Sequence, residues 1–511
     1  MTVNLIWIIT DSGIRSLGCN IGSGLMVATG KALHNGGPGN MVIAYAILCS
    51  CVGASLQTLA EMTIAFPVSG NFINYAHRWL DPSLAFAAGF AEWLGWTAVS
   101  SAEATVFTII VNYWADSSVH EAVWLTVFMV FCVGLFFLPN KYFVWYEYFA
   151  GLLKIFGLII VIITSIVIVA GGGPTGRVHT GEYWRNLPVF ANGFQGFSSC
   201  MLLALWAVGD QVFVGILNGE AESPRISMAH ATKLIPYRNA LLYMISVVFC
   251  TLLVPLNDER LFGGQGAAAS PFVIAMNDAG IKGVPDFFNV VIMIGIAGVA
   301  VESIYISSRV LRAMAEQGLI PRFLAAVDKR GRPRWSLAIT LAIAVMLTYI
   351  NLSNTGAVVF TWLSSITSSS FFIVWMVICL TSWRFRAALK AQNDPLFRDL
   401  YAYQCWAWPL PTIWLSVCCV LLLICCIYVG LIPIGSSTAS VYSFFQYMIG
   451  VVIVVAFTIL HKICYRTKFQ DAATADLKTG RHALTVTEIT MLDAYYQMPT
   501  WRRFLSYVKG T

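Results

Sequence analysis

Residues 18–24 read Gly18-Cys19-Asn20-Ile21-Gly22-Ser23-Gly24, and they lie inside an otherwise apolar run over 5–30. A helix needs about 20 apolar residues to cross a bilayer, so the run predicts a spanning helix. Glycine and small polar residues at its centre predict a break in that helix at mid-membrane depth. Unwound backbone in lipid leaves N–H and C=O groups unpaired, so such a break survives only where protein or a water-filled cavity receives it. A second break is written at Gly209-Asp210-Gln211, inside the run 198–217, with Gly215 and Gly219 following.

Working outward, comparable runs fall near 40–65, 84–114, 122–139, 145–170, 239–256, 287–308, 336–351, 358–380, 409–433 and 442–463, which makes twelve expected spans. Their ends carry turn chemistry such as Asn35-Gly36-Gly37-Pro38 and Gly171-Gly172-Gly173-Pro174. The chain is 58% hydrophobic and only 11% charged. A soluble domain carries roughly a quarter charged residues, so much of this surface must face lipid. Met1 leads into an apolar stretch without a basic segment or an Ala-x-Ala site, so the first span is read as retained.

Loop charges set the expected orientation. With both termini cytoplasmic, the inside segments hold twenty-two Lys and Arg against five in the outside loops, the bias that positive-inside insertion produces. The net charge of +6 therefore reads as topology, with no nucleic-acid partner. The cysteines, among them Cys51, Cys132, Cys200 and Cys250, sit in apolar runs with no CxxC or His-spaced pattern. Neither a disulfide framework nor a metal or cofactor site is expected. The seven histidines fall in loops or at span ends, so a membrane enzyme with a nucleophile–base pair at depth is disfavoured.

The two breaks lie five spans apart. A second copy of a five-helix unit then starts on the opposite side of the membrane, which gives an inverted repeat. The outer half of the first span begins after its break, so N–H groups of Gly22, Ser23 and Gly24 at a positive dipole end suit a carboxylate. The outer half of the sixth span ends at its break, so carbonyls near Val208 and Gly209 suit an ammonium group. A zwitterion between them is an α-amino acid. The alternative is that these glycines serve close helix packing.

Short motifs in order then resemble a known family. Ile21-Gly22-Ser23-Gly24, Glu61-Met62 with Pro67-Val68-Ser69-Gly70, Gly219-Glu220-Ala221-Glu222-Ser223-Pro224-Arg225, Ser270-Pro271-Phe272, Ser307-Ser308-Arg309 and Asp328-Lys329-Arg330-Gly331-Arg332-Pro333 are similar to segments of the fungal amino acid permeases of the amino acid–polyamine–organocation superfamily. The resemblance runs from about residue 14 to the tail. It implies an all-α membrane protein with a LeuT-type 5+5 inverted repeat and two peripheral helices. The transmembrane domain is then 1–463, with repeats over about 5–170 and 198–380 and peripheral helices over about 409–463. A cytoplasmic tail covers 464–511. Also implied are plasma-membrane location and amino acid uptake driven by protons. The resemblance would place a long hydrophilic segment before the first helix and a glutamate at Val212. It would also place a serine at Glu302 and a terminal cysteine, none of which this sequence has.

Charges within spans cost at least about 2.5–3.5 kcal/mol each at mid-bilayer and each raises a functional expectation. Glu103 matches a family position and is expected as a proton site or substrate-side contact, against a buried hydrogen-bonded carboxyl. Lys154 matches a lysine that stands at the ion site of proton-coupled relatives, against snorkelling to the inner face. Glu147 is expected at the inner boundary. Asp210 and Glu302 are expected beside the substrate; with Glu103 they make three carboxyls against one lysine and favour a cationic solute. Trp93, Trp96, Trp206 and Trp362 could line or gate the pocket, or simply pack. A polyamine, choline-like cation or γ-aminobutyrate carrier is the alternative substrate class. A non-transporting amino acid sensor on the same fold is the other reading. Asn351-Leu352-Ser353 abuts a span, so its glycosylation is not expected.

Overall fold

The computed structural model describes residues 22–503 except 69, 116–118, 139, 214–223, 262–269, 329–330, 437 and 500. The described residues form helices and no strand. In chain order these are α1 (Ser23–Met26), α2 (Ala28–Ala65), α3 (Asn71–Trp79), α4 (Pro82–Ala115), α5 (Glu121–Phe137), α6 (Asn140–Val169), α7 (Glu182–Asn186) and α8 (Gly193–Val208). They continue with α9 (Pro224–Leu253), α10 (Pro271–Asp278), α11 (Val284–Glu316), α12 (Arg334–Tyr349), α13 (Gly356–Ala391), α14 (Leu410–Leu431), α15 (Val441–Tyr465) and α16 (Val486–Gln497). Among the described residues nine helices are long and apolar enough to cross a membrane, and the shorter apolar α5 and α8 join them.

α2 holds the end of the first expected span and all of the second. The stretch Asn35 to Pro38, where the sequence predicts the end of one span and the start of the next, separates two helical segments that meet within α2. Gly37 takes φ 75° there, and the carbonyl oxygens of Pro188 and Val189 lie 2.8 and 2.9 Å from where its Cβ would stand. Only glycine fits that backbone and that gap. The N–H of Gly39 then donates to the Val189 carbonyl at 2.9 Å.

The centre of the bundle is α2, α4, α8, α11 and α13, with α4 packed along both α13 and α11 and α2 along α8 and α9. Outer helices turn apolar side chains outward: Phe149 and Ile163 of α6, Val417 of α14 and Ile463 of α15 are all more than half exposed. Water would not tolerate such a surface over so many helices, and lipid does. Asn351 is buried, its side chain accepting from Thr105 Oγ1 at 2.7 Å and donating to the Thr348 carbonyl, so a glycan has no access there.

The C-terminal tail lies against one end of the bundle, the tail end. Lys462 Nζ meets Asp81 at 2.7 Å. Trp79 Nε1 donates to the Asp476 carbonyl and the His482 N–H to the Ala65 carbonyl, both at 2.9 Å. Arg481 bonds Asp394 at 2.8 Å and Asp399 at 2.6 Å. Gln392 Nε2 donates to the carbonyls of Ala472 and Ala475. Leu477 and Leu492 are buried, and α16 begins with a capping box of Thr485 and Glu488.

Candidate functional site at the two helix breaks

α1 starts at Ser23, preceded by Gly22 in extended backbone; Gly18 to Ile21 lie outside the described residues. The place where a Gly24 Cβ would stand is 2.7 Å from Ala207 Cα and 3.0 Å from its Cβ. So α1 rests directly on the last turn of α8. At that turn α8 stops at Val208 and tightens into a 3-10 turn over Gly209–Val212, where the sequence predicts the second break. The two breaks, nearly 200 residues apart in the chain, therefore touch.

The carbonyls at the end of α8 are partly used within the protein. The Gly209 N–H donates to Leu205 and the Tyr243 hydroxyl donates to Ala207 at 2.5 Å. Tyr243 lies on α9, and no local signal in the sequence ties it to this carbonyl. Val208, Gln211, Val212 and Phe213 are all buried at the break. The side chain of Asp210, and all of Gly215 and Gly219, lie outside the described residues.

Glu103 reaches the first break from α4. Its Oε1 accepts from Ser23 Oγ at 2.8 Å, both side chains being almost wholly buried. The same Oε1 is 3.4 Å from where a Gly22 Cβ would stand, and Val299 Cγ2 of α11 is 3.0 Å from that point. Oε2 of Glu103 makes no hydrogen bond among the described residues. Gly24 thus faces a helix neighbour, whereas Gly22 and Ser23 face a carboxyl.

The residue before Val299 leads to the second expected proton site. Gly298 has Lys154 Nζ 3.3 Å and Glu147 Oε1 3.5 Å from its missing Cβ. Lys154 is 2% exposed and its ammonium lies against the middle of α11, so it does not snorkel. Glu147, expected at the membrane boundary, is instead buried beside the same glycine. Glu302 stands one helical turn beyond Gly298 on α11 and is half-buried. Periodicity places Lys154 on α6, but the partner glycine is visible only once α6 and α11 are docked.

The tryptophans divide in two. Trp96 packs edge-on to Phe213 and Phe371, and Phe371 also touches Gly209. Trp206 packs on Phe360. Both therefore border the breaks. Trp93 donates to Thr340 and Trp362 to Tyr442, which makes them scaffold contacts. Among the described residues no three His, Cys, Asp or Glu side chains gather as metal ligands would.

A family model for amino acid permeases matches residues 11–473, through both breaks, α4, α6 and α11. The chain belongs to the amino acid permease family. Among its relatives, the amino-acid permease GAP3 of Candida albicans is 33% identical over 474 residues, covering 92% of this permease and 78% of GAP3. The general amino-acid permease GAP1 of Saccharomyces cerevisiae is 33% identical over 475 residues, 91% of this permease and 78% of GAP1. The histidine permease of Saccharomyces cerevisiae is 33% identical over 486 residues, 92% of this permease and 79% of that protein. The family places this permease in the multi-span membrane fold that its sequence predicts.

Proposed function

We propose that this permease imports amino acids across the plasma membrane by proton symport with alternating access, with both termini in the cytoplasm. The observation that carries the reading is the contact of α1 with the end of α8 at two helix breaks, with the Glu103 carboxyl bonded to Ser23 at the same point. Backbone N–H groups at Gly22, Ser23 and Gly24 take the substrate carboxylate. The chain around Val208, Gly209 and Asp210 takes its ammonium group, and Glu302 faces a side-chain charge. Glu103 and Lys154 carry the coupled proton. The repeats over 5–170 and 198–380 move against each other, and 409–463 stays peripheral. The similarity to a general amino-acid permease and a histidine permease supports an amino acid as cargo over a polyamine.

Uptake of labelled arginine, histidine, leucine, phenylalanine, glutamine and glutamate in a permease-deficient yeast tests this. At least one should accumulate, with acidification of the cytosol and collapse by a protonophore. No uptake of any of them, or uptake that follows sodium alone, overturns the reading.

A further inference from the structure

The proton sites proposed above leave Glu147, a buried carboxyl of α6, unused. Glu147 lies on α6, seven residues and two turns toward the tail end from Lys154, and its Oε1 stands against Gly298, as the Lys154 ammonium does. A side chain at 298 would occupy the space both heads use; glycine lets α6 and α11 approach with the two charges between them. A buried carboxyl in a spanning helix is costly, and it is retained where it serves a conduction path or a partner charge.

Toward the tail end the path is closed by rings. Phe143, one turn before Glu147, stacks on Tyr305 of α11 at 5.1 Å and 11°. Arg309 covers that Tyr305 ring at 3.3 Å. Tyr146, next to Glu147 in the chain, turns the other way, its hydroxyl donating to the Ile294 carbonyl at 3.0 Å. Among the described side chains, the other titratable or charged groups on elements packed against α6 are Glu121 and Cys132 of α5, Asp286, Glu302, Arg312 and Glu316 of α11, and Arg225, Lys233, Tyr237, Arg238, Tyr243 and Cys250 of α9. Asp278 of α10 lies at the opposite end in its pair with Arg260.

We infer that Glu147 is a second proton-handling carboxyl, which receives the proton from Lys154 and releases it to the cytoplasm when the Phe143–Tyr305 stack parts. An N–H bond of the Lys154 ammonium breaks as an O–H bond forms at Glu147, directly or across one bridging water. The acid then loses that proton to cytoplasmic water, and Glu147 returns to carboxylate. The role rests on the proton-symport reading above. It makes Glu147 a relay and leaves substrate binding to the helix breaks.

The full chain in proteoliposomes with a pH dye inside provides the test, using the best-transported amino acid of the panel as the label. Wild type should acidify the lumen on substrate addition; if it does not, the symport reading fails independently of Glu147. In Glu147→Gln, lumen acidification and concentrative uptake should fall at least tenfold, while exchange of labelled for unlabelled amino acid stays within about twofold. Exchange needs no proton release, so it also reports a folded protein. Glu147→Asp should restore part of the net uptake with a displaced pH profile. Acidification at the wild-type rate in Glu147→Gln overturns the inference. Equal loss of both modes in both variants also overturns it, because a packing role would do that.

Discussion

Ser23 donates its hydroxyl hydrogen to Oε1 of Glu103 at 2.8 Å, across 80 residues of chain and with both groups shielded from solvent. This bond links the position of α1 to the Glu103 carboxyl. In Glu103→Gln the amide oxygen can still accept from Ser23, but the group can no longer take up a proton. Initial uptake should fall tenfold or more and lose its dependence on external pH between about 5 and 8. A wild-type pH profile in that variant would remove Glu103 from the coupling. Ser23→Ala should keep the pH dependence and lose only the hydrogen bond, about 0.5–1.5 kcal/mol for a neutral acceptor.

Gly22 and Gly24 should respond differently to the same methyl group. At 24 the added Cβ meets backbone, Ala207 Cα at 2.7 Å, and backbone cannot turn aside. Gly24→Ala should destabilise the purified protein by about 1–3 kcal/mol and abolish uptake. At 22 the nearest atom is the Val299 Cγ2 methyl at 3.0 Å, which belongs to a side chain. Gly22→Ala should retain most of the stability while weakening substrate affinity. Melting in detergent, read by size-exclusion chromatography, separates the two; equal melting temperatures would contradict the packing role of Gly24.

Tyr243→Phe removes one oxygen and leaves the Ala207 carbonyl without its donor in a buried setting. An unsatisfied buried acceptor costs about 1–3 kcal/mol. Lower thermal stability with insertion unchanged is the expected result, together with a raised KM, because Ala207 borders the turn proposed to hold the ammonium group. Unchanged melting would show that the carbonyl finds another donor.

The docked tail should loosen in acid. Burial alone would raise the carboxyls of Asp476 and Glu488. Hydrogen bonds from Thr479 and Lys478 to the one, and from Thr485 and His482 to the other, outweigh it and hold both below the usual carboxylate range. Their contribution is therefore complete above about pH 4–4.5, the ordinary values, and is lost as pH falls through the depressed ones. A nitroxide on the exposed position of Lys478→Cys, with Cys464 replaced by serine, should stay immobilised down to about pH 5 and become mobile only below pH 4. Mobility already at neutral pH would show that the tail is undocked.

The spans were legible because lipid imposes one rule on every residue facing it, and the breaks because glycine clusters in such a run have few other uses. At Gly24 and Ala207 the two breaks come into contact. What escaped the sequence is contact between distant residues. Nothing local marks Tyr243 as the partner of Ala207, or Gly298 as the neighbour of Lys154 and Glu147. The boundary position expected for Glu147 failed for a related reason: α6 continues to Asn140, so Glu147 begins two turns inside the helix. The turn at Asn35 to Pro38 was legible, but the carbonyls of Pro188 and Val189 that leave room only for glycine at 37 come from distant chain.

The tail's partners come from both ends of the polypeptide's order of synthesis. Ala65, Trp79 and Asp81 are made early, while Gln392, Asp394 and Asp399 are made more than 300 residues later. Neither group alone offers the docking surface. The tail thus closes over a surface that exists only when the helices carrying both groups have assembled, and its seating reports that assembly.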